Sequence, residues 1–435
     1  MKWFAAVSVL LLLALVFQAG LLAYVVYAVA GILVTSRFLS RAWAEGAEAE
    51  RECNRLTANV GDKVAVVIRL RNRTRLPIPW LLVEDLFPRH AFLPPPPRLR
   101  VEGRRLQLAW LKAHATRTLT YQFTCNQRGY FQIGPLVLET GDLFGLHRRF
   151  RVLTEPHFVL VYPEVVPLEG FDIGSRRPIG EVRMSYRLYE DPTRIAGVRC
   201  YQPGDPLNRI HWRATARTGT LHSKLYEPST IAGATIVLDF HQDGYPAEGG
   251  IYRSELAITA AASVTHALYE MNQQVGLVTN GRDAADRIRR EGWDYDIRSR
   301  QAARRTAGMR ESSDRLQPVI VPTQRGAEQR MRILETLARV ELTDGLDLVQ
   351  LVRETAPRIP RDATVLVILP RVTAETAVAL GNLRRSGFAV SAILNIFEEH
   401  YFAEAAGRLA AEGVDAFQLK DRPGIASICR RYVMV

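Results

Sequence analysis

The sequence predicts a multidomain protein in which N-terminal transmembrane helices precede an antiparallel, immunoglobulin-like β-sandwich and then a doubly wound, Rossmann-like α/β domain. Three observations carry this prediction. Residues 3–34 are almost wholly apolar, hydrophobic residues alternate with period two from Val64 onward, and apolar strand-like runs alternate with helical segments from residue 234. Because 435 residues exceed one ordinary domain of about 100–200 residues, we expect two soluble domains.

The composition narrows the class of partner. The chain has 57 Lys and Arg against 45 Asp and Glu, a net charge of +12, which suits an anionic partner such as a membrane surface. Nucleic-acid binding is not expected, because the sequence shows no zinc-finger spacing, no RNA-binding aromatic pair and no long basic tail. Cys53, Cys125, Cys200 and Cys429 are far apart without a CxxC spacing, which indicates free thiols in a reducing compartment.

Residues 1–36 are interpreted as a transmembrane helical hairpin. The apolar run 3–34 would measure about 48 Å as one helix, longer than the ~30 Å hydrocarbon core, so a turn near 18–20 is expected. Lys2 precedes the run and Arg37 and Arg41 follow it, so the positive-inside rule places both ends, and the soluble domains, in the cytoplasm. The alternatives are one long tilted helix or a signal peptide cut after residue 30.

The next segments are a predicted juxtamembrane helix at 37–55, a β-sandwich domain at 56–165 and a connector at 166–196. Turn signals separate the short alternating segments of the sandwich, and no long helical period interrupts them. The predicted strands lie at 64–71, 81–85, 105–109, 118–124, 136–140 and 157–162. The connector is rich in arginine, glycine and proline and has weak periodicity.

Residues 228–435 are predicted to form the α/β domain. Its apolar strands are predicted at 234–240, 274–279, 363–369, 388–394 and 414–419, with helices between them and a charged insertion at 282–317. A ligand of such a sheet binds at the carboxyl ends of the strands, where Asp239, Thr279 and Asn280 are expected to converge.

The segment 197–227 concentrates more specific chemistry than any other stretch. Asp205 followed by Pro206 predicts a helix N-terminus, and Gly219 predicts the left-handed residue that ends the helix. A helix between them would have a cationic face of Arg209, Arg213 and Arg217 and an apolar stripe of Leu207, Ile210 and Ala214.

This segment resembles the signature of the family called domain of unknown function 58, DUF58, of bacterial membrane proteins. The matching residues are Tyr201, Gly204, Asp205, Ile210, Trp212, Ala216, Arg217 and Gly219. Two further stretches are similar to that family: Arg128-Gly129-Tyr130 with Ile133-Gly134-Pro135, and the run 141–146, Gly-Asp-Leu-Phe-Gly-Leu. The resemblance implies that the α/β domain is von Willebrand factor A-like, and that the protein partners a MoxR-type AAA+ ATPase in the assembly or maturation of other proteins.

The resemblance also raises the question of a metal site. In von Willebrand A-type domains the first strand ends in Asp-x-Ser-x-Ser, which helps hold a divalent ion, whereas this chain has Asp239, His241 and Asp243 at those places. One carboxylate beside an imidazole suits Mg²⁺ poorly. We therefore expect no cofactor, and the degenerate set Asp239, His241 and Asp243 stays as the only metal candidate.

The sequence favours a scaffold over an enzyme. It contains no Walker-type loop, no HExxH and no glycine-rich dinucleotide loop after the first parallel strand. The leading hypothesis is a non-enzymatic, membrane-anchored interaction protein without a small-molecule substrate. The alternatives are a metal-dependent adhesion module and a hydrolase using Asp205 with His211. In the scaffold hypothesis the signature segment is either a clasp between the two domains, anchored by Leu207, Ile210 and Trp212, or a partner contact.

Overall fold

The computed structural model divides the chain into two compact units. Unit 1 comprises Met1–Glu164, Arg282–Arg315 and Leu334–Asp344, and unit 2 comprises Val165–Gly281, Leu316–Ile333 and Gly345–Val435. The residues that the structure describes are 9, 16, 20–88, 91–92, 97–168, 190–202, 210–228, 233–246, 249–286, 317–361, 363–426 and 428.

The described helices are α1 (Gly20–Gly46), α2 (Trp212–Thr218), α3 (Gly250–Glu270), α4 (Ala327–Arg339), α5 (Leu348–Thr355), α6 (Ala374–Arg385) and α7 (Glu399–Ala411). The strands of unit 1 are β1 (Ala47–Cys53), β2 (Thr57–Asn59), β3 (Lys63–Asn72), β4 (Ile78–Asp85), β5 (Leu99–Gly103), β6 (Leu106–Leu111), β7 (Thr116–Cys125), β8 (Gly129–Ile133), β9 (Leu136–Gly141), β10 (Arg148–Thr154), β11 (His157–Tyr162), β16 (Arg282–Asp283) and β18 (Val340–Glu341). Those of unit 2 are β12 (Glu190–Cys200), β13 (His222–Pro228), β14 (Gly233–Leu238), β15 (Gln274–Thr279), β17 (Val319–Gln324), β19 (Thr364–Leu369), β20 (Val390–Leu394) and β21 (Asp415–Gln418).

Helix α1 is apolar enough to cross a membrane. Among the described residues it is the one helix that meets this test, over Tyr24–Gly46 with a mean hydropathy of 1.3. Most of the predicted first span and of the turn at 18–20 lies outside the described residues. The separate juxtamembrane helix at 37–55 is wrong, because α1 runs without a break through Arg37 to Gly46 and β1 follows at once.

Strand β1 occupies residues that the sequence predicts as the end of the juxtamembrane helix, because Ala and Glu favour helices. All seven of its residues pair antiparallel with β3, and Glu52 and Glu48 form ion pairs with Arg69 and Arg73, at 2.6 and 2.7 Å. Pairs of opposite charge between neighbouring strands stabilise a sheet, so the alternating Ala and Glu residues form a strand once Arg69 of β3 and Arg73, directly after β3, supply the opposite charges.

The strands of unit 1 form a sandwich-like arrangement of mainly antiparallel sheets. Their orders are β1-β3-β7-β5, β10-β9-β4-β6 and β2-β11-β8. One apolar core joins residues from all three sheets, including Val66, Phe123 and Val159. The six predicted strands are confirmed within a few residues, whereas β1, β2, β5, β8 and β10 were not predicted.

Unit 2 contains a six-stranded sheet with order β17-β15-β14-β19-β20-β21. All neighbours are parallel except β15 and β17, so the predicted α/β region with a parallel sheet is confirmed, and the antiparallel edge β17 is an addition. In the order of the chain this is strand order 3-2-1-4-5-6, whose direction reverses between β14 and β19. Most of the charged insertion lies outside the described residues.

The connector predicted at 166–196 ends in a strand. Residues of β12 pair antiparallel with β13, and the register shifts on either side of Ile195. Pro192 and Gly197 interrupt the apolar alternation at this irregular stretch, which is why the sequence did not reveal the strand. Residues 169–189 lie outside the described part of the chain.

Candidate functional site

Helix α2 is the folded part of the signature segment, and its N-terminus differs from the prediction. The helix begins at Trp212, and the Nδ1 atom of His211 accepts a hydrogen bond from the backbone N–H of Ala214, at 3.0 Å. A single helix from Pro206 to Gly219 is therefore wrong, because His211 is the N-cap. The three signature residues Gly204, Asp205 and Arg209 lie outside the described residues.

The C-terminus of α2 confirms the role of Gly219. This glycine has φ of 73°, and its N–H donates to the carbonyl of Thr215 at 2.9 Å. A left-handed residue closes a helix at little steric cost when it is glycine.

The two residues that precede α2, Ile210 and His211, pair with strand β13. Ile210 is buried and forms a β-bridge with Ser223, and the N–H of His211 donates to the carbonyl of His222 at 2.8 Å. The N–H of Tyr201 donates to the carbonyl of Leu221, also at 2.8 Å. Ile210 is therefore buried, but on an extended backbone and not on the apolar stripe of a helix.

Trp212 does not anchor the segment. Its side chain is 69% exposed, and α2 has no buried residue. Arg213 and Arg217 are also exposed, lie four residues apart on the same face, and form no ion pair within the described part of the chain. We call Trp212, Arg213 and Arg217 the signature surface.

The carboxyl edge of the parallel sheet brings together the residues predicted there. Leu238 pairs with Thr279, and the side chain of Asn280 donates from Nδ2 to the Oδ1 atom of Asp239 at 2.9 Å. The N–H of His241 donates to the same oxygen at 3.2 Å. Burial raises the pKa of the Asp239 carboxyl group, and the hydrogen bond from Asn280 opposes this change only in part.

Asn280 organises this edge through both ends of its amide. Its Oδ1 atom accepts from the N–H of Phe240 at 2.7 Å, and Nδ2 also donates to the carbonyl of Leu346 at 2.9 Å. The hydroxyl of Tyr245 donates to the carbonyl of Asp239 at 3.0 Å. The loop after β14 is therefore fixed by neutral groups around one carboxylate.

His241 and Asp243 do not converge on Asp239 as a ligand set. Nδ1 of His241 accepts from the N–H of Asp243 at 3.3 Å and caps the short turn Gln242–Gly244, while the Asp243 side chain is 64% exposed. No group of three His, Cys, Asp or Glu placed to hold a metal ion occurs within the described ranges.

A second asparagine at this edge was missed by the sequence reasoning. Asn395 is fully buried and follows β20 directly, as Asn280 follows β15. Its Nδ2 donates to the carbonyl of Arg253 at 2.6 Å, and the Arg253 guanidinium donates to the carbonyls of Asn395 and Pro370. Burial lowers the pKa of Arg253. The repeated Asn after a buried strand was the signal that could have located this pair.

The signature segment lies within the part of the chain that matches a known protein family. The profile of the family described as "Protein of unknown function DUF58" matches residues 197–292, a range that includes the signature surface, Asp239 and Asn280. The chain is also similar to "Uncharacterized protein YeaD" of Bacillus subtilis strain 168, with 23% identity over 270 residues. That match covers 61% of this chain and 64% of the Bacillus protein, so it spans less than two thirds of that relative.

Solved structures resemble parts of the chain only loosely. The CARDB domain of a Pyrococcus furiosus protein is 16% identical, with a TM-score of 0.18, and the match covers 26% of this chain and 91% of that domain. Proximal thread matrix protein 1 from the mussel byssus is 8% identical, with a TM-score of 0.29, and the match covers 45% of this chain and 46% of that one.

Proposed function

We propose that this protein is a non-enzymatic, membrane-anchored scaffold whose signature surface binds a partner protein. The observation that carries the proposal is a helix that is capped at both ends and yet buries none of its side chains. Burying a large apolar side chain stabilises a fold or a complex by about 1.5–3 kcal/mol. Because Trp212 is exposed in this fold, its burial by a partner would contribute a free energy of that size to binding. Trp and Arg are the residue types most enriched at the centres of protein interfaces.

Arg213 and Arg217, which form no ion pair with any residue that the structure describes, define the chemistry of the partner. A guanidinium group binds a carboxylate through two parallel hydrogen bonds, so Arg213 and Arg217 suit an acidic surface with an apolar pocket for Trp212. The resemblance to the DUF58 family supplies the candidate, a MoxR-type AAA+ ATPase, and a role in the assembly or maturation of other proteins.

A capture experiment tests this contact. Detergent-solubilised full-length protein is immobilised, and binding of a purified MoxR-type ATPase is titrated for the wild type, Trp212→Ala and Arg213→Glu. A hot-spot loss of 2 kcal/mol corresponds to about a 30-fold weaker affinity for each variant. Lys420→Glu, at another exposed cation of unit 2, makes the same change of charge and should bind like the wild type. Equal binding by all four proteins would exclude the signature surface, and no binding by the wild type would exclude this ATPase.

We further propose that α1 anchors the chain in the cell membrane and that both units are cytoplasmic. The length and hydropathy of α1 and the arginines after the apolar run, Arg37 and Arg41, support this orientation. Cys200 is exposed and reports the side of the membrane. We expect a membrane-impermeant maleimide to label Cys200 only after the cells are lysed, whereas labelling of intact spheroplasts would reverse the topology.

We also propose that the α/β region of unit 2 is von Willebrand factor A-like. Its strand order 3-2-1-4-5-6, with an antiparallel edge strand β17, supports this finer assignment. An experimental structure of unit 2 tests this assignment. A strand order in unit 2 that differs from that of von Willebrand factor A domains would contradict it.

A metal-dependent ligand-binding module is the second candidate function. One observation favours it: within the described residues both hydrogen bonds to the Asp239 carboxylate fall on Oδ1, at the point where the strand order reverses. Calorimetry with Mg²⁺ and Mn²⁺ tests it. Tight binding that Asp239→Ala abolishes would establish the metal site, and absence of heat with either ion would remove this candidate.

A further inference from the structure

The turn between β9 and β10 exposes three large apolar side chains. Leu143 is 68% exposed, Phe144 is 65% exposed, and Leu146 is also exposed. We call these three residues the apolar turn. They belong to the Gly-Asp-Leu-Phe-Gly-Leu run at 141–146, which the signature surface does not use.

The backbone of this turn is held in one conformation. The buried carboxylate of Asp142 accepts hydrogen bonds from the N–H groups of Phe144 at 3.0 Å, Leu146 at 3.2 Å and His147 at 2.6 Å. Burial alone would raise the pKa of Asp142, but these N–H groups, together with the nearby Ser36 hydroxyl, outweigh it and lower the pKa. Gly145, with φ of 72°, supplies the left-handed residue that the turn needs. The hydrogen bonds to Asp142 and the conformation of Gly145 therefore hold the three apolar side chains in exposed positions.

The apolar turn lies beside the helix that is able to cross a membrane. Leu143 and Phe144 line a cavity of about 330 Å³ together with side chains from the middle of α1. The α1 residues of this cavity are Ala28, Gly31, Ile32, Thr35, Ser36 and Leu39. The apolar run ends at residue 34 and the first charged residue after it is Arg37, so the turn lies level with the end of the predicted span.

The position of α1 beside the turn is fixed within unit 1. Arg151, on β10, donates hydrogen bonds to the carbonyls of Ala44 and Glu45 at the end of α1, at 3.2 and 2.9 Å. Trp43, in the last turn of α1, is part of the sandwich core. The last turn of α1 is therefore held by the sandwich, and only the part of α1 before Arg37 is available to a bilayer. That part cannot enter a bilayer without bringing the apolar turn to the bilayer surface.

Arginines flank the apolar turn. Arg148 and Arg149 follow it in the chain, and Arg37 and Arg41 lie on exposed positions of α1. Arg148 and Arg41 also form ion pairs with Glu139 and Glu45, at 3.5 and 2.9 Å, and both guanidinium groups stay about two thirds exposed. Exposed apolar residues flanked by arginine and lysine are the composition that binds the interface of a membrane with acidic lipids.

We propose that the apolar turn inserts into the bilayer beside α1 and that the neighbouring arginines bind acidic phospholipid headgroups. This inference rests on the proposed membrane anchoring by α1 and adds a second contact between unit 1 and the lipid. The turn then fixes how unit 1 is held against the membrane.

Site-directed fluorescence tests the inference in the full-length protein. In a Cys200→Ser, Cys429→Ser background, Phe144→Cys is labelled with an environment-sensitive dye and reconstituted into phosphatidylcholine vesicles with and without phosphatidylglycerol. Leu108→Cys is the matched control, because Leu108 is a 67% exposed leucine on β6, at the opposite edge of the same sheet. The background protein without an added cysteine reports any labelling of Cys53 and Cys125.

We expect nitroxide-bearing lipids to remove most of the fluorescence at position 144 and little at 108, and aqueous iodide to do the reverse. The lipid quenching at 144 should increase with phosphatidylglycerol, and equal quenching without it would overturn the headgroup contact. Iodide access at 144 as high as at 108 would overturn insertion. Protection from iodide without lipid quenching would also overturn it, since a protein surface would then cover the turn. Extraction of the wild type by alkaline carbonate marks failure of the anchoring proposal itself.

Discussion

Two buried aspartates, one in each unit, are held in opposite ways. In unit 1, Asp85 forms an ion pair with Arg51 at 2.5 Å, neither side chain is exposed, and the hydroxyl of Tyr121 donates to the second carboxylate oxygen at 2.6 Å. In unit 2, Asp239 receives hydrogen bonds only from an amide side chain and a backbone N–H, both on one oxygen, among the residues that the structure describes.

The difference distinguishes a carboxylate that only stabilises the fold from one that still has an oxygen available to a ligand. Both oxygens of Asp85 accept hydrogen bonds, and the Arg51 guanidinium also donates to the carbonyl of Glu155. The network therefore links strands β1, β4 and β7 with the segment between β10 and β11. Asp239 lies where the strand order reverses, with one oxygen that no described donor occupies, which is the usual place for a ligand in this fold. A buried charge with a full set of partners and a buried charge without one should respond differently to substitution.

The largest effect is expected for Asp85→Ala. The substitution leaves Arg51 buried without its counter-ion, which destabilises a fold by about 3–5 kcal/mol. Arg55→Ala breaks an exposed pair with Asp62 in the same unit and should cost less than about 1 kcal/mol. Urea unfolding of both variants measures the two losses. Similar losses for the two would mean that the buried pair is not what stabilises unit 1.

The next effect concerns the glycine that packs on Arg51. A Cβ atom at Gly134 would collide with the Arg51 guanidinium, whereas a Cβ atom at Gly61, which has the same φ of +93°, meets nothing within 4 Å. Gly134→Ala and Gly61→Ala therefore share a backbone cost of about 1–2 kcal/mol, and Gly134→Ala should lose a further ~1–3 kcal/mol from overpacking. Equal losses in urea unfolding would show that Arg51 moves aside freely.

A pair of tyrosine variants compares the two aspartates directly. Tyr121→Phe removes a donor to the charged carboxylate of Asp85 and should cost about 1.5–3 kcal/mol, whereas Tyr245→Phe removes a donor to the neutral carbonyl of Asp239 and should cost about 0.5–1.5 kcal/mol. Both tyrosines are buried, so the ring packing is retained in each variant. A larger loss for Tyr245→Phe in thermal unfolding would contradict the assignment of Asp85 as the more tightly held carboxylate.

The sequence predicted whichever parts of the fold are decided by local hydrophobic pattern. Strands β11 and β15 have the predicted bounds because their apolar residues are buried and turn residues flank them. Strand β1 could not be predicted, because its Ala and Glu residues favour a helix until β3 provides opposite charges.

The candidate site was predictable where the order of parallel strands or the backbone preference of one residue decides it. Asp239 and Asn280 follow buried parallel strands, so their meeting follows from topology, and Gly219 ends α2 by its own backbone preference. The pairing of Ile210 with Ser223 depends on a strand 13 residues further along the chain, and this pairing moved the start of the helix to Trp212. A helical period read from sequence alone cannot detect that competition.

The smallest effect, and the one of opposite sign, is expected for Asp239→Asn. Because burial raises the folded-state pKa of Asp239 above its unfolded value, the wild type loses stability as the pH rises from about 4 through the folded-state pKa. The loss is ~1.4 kcal/mol for each pH unit that separates the folded-state pKa from the unfolded-state pKa. Asparagine keeps an oxygen for Asn280 and the His241 N–H but carries no charge. Its melting temperature should therefore equal that of the wild type near about pH 4 and exceed it near about pH 8. Asp243→Asn, at a side chain that is 64% exposed, is the control and should show no such gain. A variant that is less stable than the wild type at the higher pH would mean that the Asp239 charge has a partner after all, as a bound cation would provide.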